Sequence, residues 1–147
     1  MNREKIQVLL VDDNPTDVMI AREGFIAANM LETLHVAEDG MEAMKFLRRR
    51  EGYACAPRPD LILLDLNMPR KNGHEVLAEI KGDALLKNIP VIILTTSNSP
   101  EDICESYDHH ANCYIRKPGD FESFAIVVQT IRNFWFSVVT LPREQNT

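Results

Sequence analysis

Short, continuous apolar runs alternate along the chain with longer stretches whose apolar positions recur every three or four residues. The runs occupy residues 6–11 (IQVLLV), 34–37 (LHVA), 60–65 (DLILLD), 90–95 (PVIILT) and 112–117 (NCYIRK). Each is too short for a helix and rich in branched or long aliphatic side chains, which predicts strands buried on both faces. The stretches between them carry helix signals. Asn14 and Pro15 supply an N-cap and a first helical residue ahead of an apolar face of Val18, Ile20, Ala21, Phe25 and Ile26. Gly40 follows an Asp and opens a second helix, in which Met41, Met44 and Leu47 separate from Lys45 and Arg48. Val76, Leu77 and Ile80 mark a third, Ser99 and Pro100 begin a fourth, and Asp120 and Glu122 begin a fifth.

Strands buried on both faces and alternating with amphipathic helices predict a parallel sheet with helices on each side. Five of each indicate an α/β, flavodoxin-like doubly wound sheet of order 2-1-3-4-5. A chain of 147 residues suits one domain, expected over residues 1–142, with a frayed tail at 143–147 and no output domain.

Composition narrows the function. A net charge of -6 offers no basic excess to displace counterions from a phosphate backbone, so nucleic acid is not an expected partner. No run is apolar enough to span a bilayer and the N-terminus lacks a signal-peptide form, which excludes a membrane role and implies a cytoplasmic protein. Cys55, Cys104 and Cys113 are widely spaced and odd in number, so they read as reduced, buried thiols.

The chemistry gathers at the strand ends. In open α/β sheets ligands collect outside the carboxyl ends of the strands. The first run ends at Asp12 and Asp13, the third at Asp65, the fourth at Thr95 and Thr96, the fifth at Lys117 and Pro118. Three carboxylates on one rim call for a hard divalent cation, which accepts carboxylate oxygens and leaves positions for phosphate. A flexible lysine beside them supplies a point charge for a phosphoryl group, and the set suits phosphoryl transfer. Taken singly these features are ordinary: Asp-Asp-Asn-Pro is a helix-capping turn, an Asp ending a buried strand often caps the next element, and Lys-Pro is a common loop. Their joint occurrence at four strand ends carries the reading.

The blocks LLVDDNP, DLILLDLNMPRKNG, PVIILTT and YIRKP resemble the signature of response-regulator receiver domains across nearly the whole chain. That resemblance implies that Asp65 is the phosphoacceptor. Asp13 and Asp65 would ligate Mg²⁺ (or Mn²⁺) through their side chains and Asn67 through its backbone carbonyl, with Asp12 joining chiefly through metal-bound water. Lys117 would contact the phosphoryl group, Thr95 would swing toward it, and the Tyr114 rotamer would follow. Asn67 and Ser97 occupy the positions that tune hydrolysis, and the peptide before Pro118 would be cis. The chain would be a phosphoacceptor signalling protein with self-phosphorylation and dephosphorylation chemistry, not an enzyme acting on a separate substrate.

Further words, LHVAEDGMEAMKFLRR and FWFSVVTLP among them, are similar to the single-domain response regulators paired with bacterial phytochromes. This implies a phytochrome-type sensor histidine kinase as donor and a homodimer through the face of the fourth helix, fifth strand and fifth helix, with the C-terminal segment. His109 departs from the residue expected there. The final helix bears on the dimer: Phe121, Phe124, Ala125, Val128, Ile131 and Trp135 form a core stripe at helical spacing. Val127, Phe134, Phe136 and Val138 extend it beyond what one side of a sheet needs, so they are the expected dimer patch, the alternative being that the tail folds back on its own domain.

His35, His74, His109 and His110 read as surface residues, and the Arg48–Arg50 run as a helix C-terminal cluster. An aspartyl-phosphate phosphatase would place its second acid two residues after the nucleophile, where this chain has adjacent aspartates and then Pro15. A flavodoxin would need a Ser/Thr/Gly-rich phosphate loop after the first strand, and VDDNPTD would repel an FMN phosphate. A scaffold that is never phosphorylated is the remaining alternative, disfavoured by the intact acceptor, metal and lysine positions.

Overall fold

In a computed structural model, residues 5–142 are described; the tail expected at 143–147 lies outside them. Five parallel strands form one sheet in the order β2-β1-β3-β4-β5: β1 (Val8–Val11), β2 (Leu34–Ala37), β3 (Leu61–Leu64), β4 (Val91–Thr95) and β5 (Cys113–Arg116). The helices α1 (Pro15–Ala27), α2 (Gly40–Leu47), α3 (Gly73–Gly82), α4 (Pro100–Asp108) and α5 (Phe121–Ser137) each follow a strand. Both the order and the fold class match the expectation from the hydrophobic pattern.

Alternation along the central strands divides the core in two. Leu9 and Val11, Ile62 and Leu64, Val91 and Ile93 face α2 and α3, where they meet Met44, Leu47, Val76, Leu77 and Ile80. Val8 and Leu10, Leu61 and Leu63, Ile92 and Leu94 face α1 and α5, where they meet Ile20, Phe25, Phe124, Val128 and Ile131. This is why the central runs carry no polar positions: neither face of the sheet reaches water. α4 is different. Ser106 is its one buried residue, and it rests against α3 and β5 at the sheet's edge.

Every helix begins on a side-chain cap at the carboxyl edge of the sheet. The Asn14 carboxamide oxygen accepts from the N–H groups of Thr16 and Asp17, and Pro15 occupies the first turn. Asp39, Ser99 and Asp120 cap α2, α4 and α5. Asn72 and Glu75 form a reciprocal capping box at α3. Because each cap stands at the end of a strand-to-helix turn, the caps also hold the loops that carry the polar rim.

Several readings are corrected. Cys55 and Cys104 are exposed and only Cys113 is half-buried, because the first lies in a surface loop and the second on the outer face of α4. His74 and His35 are not free surface residues. His74 lies between α3 and α4 with Nε2 3.0 Å from an Asp102 carboxylate oxygen, and His35 Nε2 is 2.7 Å from the Gln7 carboxamide oxygen, its ring tilted over Phe46. Phe121, read as core, is 54% exposed, the first residue of α5, whereas Phe124 three residues on is buried. Val127 and Phe136 are half-buried against their own core, Phe136 edge-on to Phe25 at 6.1 Å; of the expected patch, Phe134 and Val138 are the exposed members. Ile26 is 50% exposed rather than part of the buried α1 face. No peptide bond among the described residues is cis, so the Lys117–Pro118 bond is trans, the ordinary preference.

Candidate functional site

The sheet's own hydrogen bonds carry each polar residue to the rim. The Asp12 N–H donates to the Ala37 carbonyl at 3.0 Å and the Asp65 N–H to the Val11 carbonyl at 3.0 Å, so both residues continue the ladders of β1 and β3 by one step. The Lys117 N–H donates to the Thr95 carbonyl at 2.6 Å and continues β4–β5 in the same way. Asp12, Asp65, Thr95 and Lys117 are therefore placed by backbone pairing, and all four are buried. Asp13 is exposed at the mouth.

One ammonium group organises the acids. Lys117 Nζ, on a side chain only 3% exposed, donates to Asp12 at 2.7 Å, to Asp17 at 2.8 Å and to Asp65 at 3.2 Å. Burial alone would lower its pKa, but the bonds to Asp12 and Asp17 outweigh that and hold it firmly protonated. Burial pushes the Asp12 carboxyl from its ordinary 3.8 up to about 6, against the lowering effect of Lys117 and of the Asn14 N–H, which donates to it at 2.9 Å. The Asn67 N–H donates to Asp65 at 3.3 Å. One aspartate that sequence reasoning missed thus belongs to the site: Asp17, on the first turn of α1. Its only signal in the sequence was a position one turn beyond the Asp12–Asp13 pair.

The donor set fits a hard divalent cation. One oxygen from each of Asp12, Asp13 and Asp65 can lie within 4.8 Å of the others, with Asp13 facing the opening. All-oxygen, carboxylate-rich coordination is what Mg²⁺ and Mn²⁺ favour. Asn67 lines the adjoining cleft with Asp13, Met68 and Asn72, and is exposed. Gly73 makes the arrangement possible: a Cβ there would stand 2.2 Å from the Asp65 carbonyl oxygen and 2.6 Å from the Leu66 Cα. A larger cavity of about 690 Å³ at the other end of the molecule, around Ile6, Met30, Arg132 and Phe136, is remote from this chemistry.

The end of β4, the loop after it and β5 carry the remaining predicted switch residues. Thr95 Oγ1 is fully buried and has no hydrogen-bond partner among the described residues. The Ser97 hydroxyl donates to Asp102 at 2.5 Å, and His74 approaches the other oxygen of the same carboxylate. The hydrogen bond from Ser97, followed by that from His74, holds the Asp102 carboxyl below the usual range. Tyr114 is half-buried, and its hydroxyl donates to the Ser97 carbonyl at 2.8 Å. Thr95 closes β4, and Ser97 beyond it is joined by a hydrogen bond to Tyr114 on β5, whereas Val127, Phe134, Phe136 and Val138 lie on α5 and the turn after it, away from the rim.

A doubly wound sheet with three carboxylates and a buried lysine on its carboxyl edge defines a phosphoryl-accepting signalling class rather than a nucleotide- or flavin-binding one. The model of the response regulator receiver domain matches residues 8–129, and the chain belongs to that family. It is 44% identical over 135 residues to the response regulator Rcp1 of Synechocystis sp., covering 92% of each chain. Its structure resembles that of the phosphorylated cyanobacterial phytochrome response regulator RcpA, with a TM-score of 0.92, 46% identity, and coverage of 95% of this chain and 100% of that one. It also resembles the Mn²⁺-bound form of Rcp1, with a TM-score of 0.86 and 43% identity over 95% of this chain and all of that one. No helix among the described residues is long and apolar enough to cross a membrane.

Proposed function

We propose that this receiver domain accepts a phosphoryl group on Asp65 from a sensor histidine kinase of the phytochrome type and passes the signal on through protein contacts. The observation that carries the reading is the convergence of Lys117 on Asp12 and Asp65, with Asp13 close enough to complete an oxygen site. The kinase type is supported by the likeness to regulators described as phytochrome response regulators.

The Asp65 carboxylate attacks phosphorus; an O–P bond forms, the P–N bond to the donor imidazole breaks, and its electron pair leaves with the imidazole nitrogen. Asp13 and Asp65, with Asn67 and Asp12 assisting, would hold a Mg²⁺ or Mn²⁺ that would supply charge neutralisation at the phosphoryl oxygens. Lys117 contributes a fixed positive charge on the same group. Thr95 offers an uncommitted buried hydroxyl that can donate to a phosphoryl oxygen, and the segment through Ser97 to Tyr114 follows it. Asn67 and Ser97 flank the path of the hydrolytic water and set the lifetime of the anhydride, which water cleaves to phosphate and free Asp65. The output face is α4, β5 and α5, through which the chain forms a homodimer, with Phe134 and Val138 at its exposed apolar part.

Intact mass after incubation with Mg²⁺ and acetyl phosphate tests the acceptor. The expected result is a labile gain of one phosphoryl group in the parent and none in Asp65→Asn. A folded parent that gains nothing from acetyl phosphate or from a phosphorylated histidine kinase refutes the reading and favours a scaffold that signals without phosphorylation.

A further inference from the structure

The loop between β3 and α3, residues 65–72, carries both Asp65 and Asn67, and it contains a strained turn. Arg70 has φ 66°, in the left-handed region, and the Lys71 N–H donates across it to the Pro69 carbonyl at 2.7 Å. Those two features define the rare γ-turn of positive φ, a strained form. A residue with a side chain stays there only where its surroundings force it. The bond from the Gly73 N–H to the Leu66 carbonyl, at 2.9 Å, ties the ends of the loop together but does not reach the turn.

The bracing comes from the neighbouring turn between β2 and α2. The Arg70 guanidinium donates to Asp39, whose side chain is 1% exposed although that of Arg70 is 70% exposed. The other Asp39 oxygen accepts from the Glu42 N–H at 2.9 Å and so is fixed to the start of α2. Beside it, Gly40 lets the two turns touch. A Cβ there would collide with the Lys71 carbonyl oxygen and stand 2.7 Å from Val76 Cγ2. Asp39 and Gly40 therefore grip the consecutive residues Arg70 and Lys71. With one partner mostly in water, the ion pair adds little to global stability; its effect is local, on the loop.

We propose that the Arg70–Asp39 pair positions the cation site: it holds the strained turn, and through it Asn67 and Asp65, at the spacing a divalent cation requires. This rests on the reading of Asp13, Asp65 and Asn67 as that site. A small hard cation demands near-ideal octahedral geometry, so a loop free to relax its turn binds it less well. Charge alone argues the opposite way for Arg70. It lines the mouth of the site with Asp12 and Asp13, and removing a positive charge there would draw a cation in.

The test titrates Mn²⁺ into the parent, Arg70→Ala, Asp39→Asn and the double variant at one ionic strength. Free Mn²⁺ is read by electron paramagnetic resonance, and folding is checked by circular dichroism. Asp39→Asn keeps an oxygen to cap α2 and leaves no bare buried charge, so it and the double variant carry the test if Arg70→Ala unfolds. Each single variant is expected to bind about tenfold more weakly, the scale of losing an outer contact that orients metal ligands. The double variant should bind no more weakly than either single one. If the charges act only through their field, Arg70→Ala binds more tightly, Asp39→Asn more weakly, and the double variant matches the parent. That pattern overturns the proposal, as does a folded single variant that binds like the parent, or losses that add in the double variant. Each of these leaves the cation site standing, provided that Asp13→Asn loses Mn²⁺. A folded parent that binds no Mn²⁺ overturns both.

Discussion

Replacing Asp12 by Asn should stabilise the protein in the absence of metal, and by an amount that grows with pH. The Asp12 side chain is 2% exposed, and its burial lifts the carboxyl from 3.8 to about 6 even with Lys117 and the Asn14 N–H donating to it. The folded state therefore holds this proton more tightly than the unfolded chain does. The resulting stability is present in full below about pH 4 and is lost as pH rises through about 6. A shift of about two units corresponds to about 3 kcal/mol by pH 7.5. About half of that is already lost at pH 5 and the rest between pH 5 and pH 7.5. Asn preserves an accepting oxygen for Lys117 and resembles the protonated acid at every pH. Urea unfolding in EDTA should then show Asp12→Asn ahead of the parent by about 3 kcal/mol at pH 7.5 and by about half as much at pH 5. Mg²⁺ should narrow the gap at pH 7.5 by stabilising the parent, because the cation offsets the ionised carboxyl. A gap of the same size at both pH values, or an Asn variant weaker than the parent at pH 7.5 without metal, would show that burial does not dominate this carboxyl.

Other consequences arise from the same geometry. Gly73→Ala must displace the Asp65 backbone, so chemical denaturation should show a loss of about 1–3 kcal/mol, and Mg²⁺ titration should show weaker binding; parent-like values in both would contradict the close approach. Thr95→Val removes a buried hydroxyl that lacks a partner, so the unphosphorylated protein should be no less stable and up to about 1–2 kcal/mol more stable. The same variant should still be phosphorylated but should lose the phosphorylation-dependent change in partner binding or dimerisation, measured by sedimentation. Phe134→Asp with Val138→Asp should shift a dimer to monomer without lowering the melting temperature of the domain; a double variant that remains dimeric would place the interface elsewhere.

Most of the rim could be read from the chain because strand ends are a local property. Asp12, Asp13, Asp65, Thr95 and Lys117 each directly follow or close an apolar run, and a parallel sheet brings all its carboxyl ends to one edge. Asp17 could not be found this way. It sits on a helix, and its approach to Lys117 depends on how α1 docks relative to β5, a contact across 100 residues of chain. His74 and Asp102, 28 residues apart, meet for the same kind of reason where α3 packs beside α4. The α5 readings divided along its length. Phe124, Val128 and Ile131 lie at the centre of the stripe and are buried, whereas Phe121 and Phe136 exchanged expected environments because helical spacing sets a direction around the axis but not where the helix ends over the sheet.

By itself, then, the sequence determined the alternation of buried strands and capped helices, the order of the sheet that this alternation favours, and the acidic rim with its lysine. These rest on short-range chemistry: periodicity, side-chain caps and the polarity of residues next to apolar runs. Tertiary structure alone decided which carboxylates share the Lys117 ammonium, how deeply Asp12 is buried and hence where it titrates, and which α5 side chains stay in contact with water. Those depend on distances between elements remote in sequence, where shifts of an ångström or two decide whether an ion pair, a buried charge or an exposed apolar surface results.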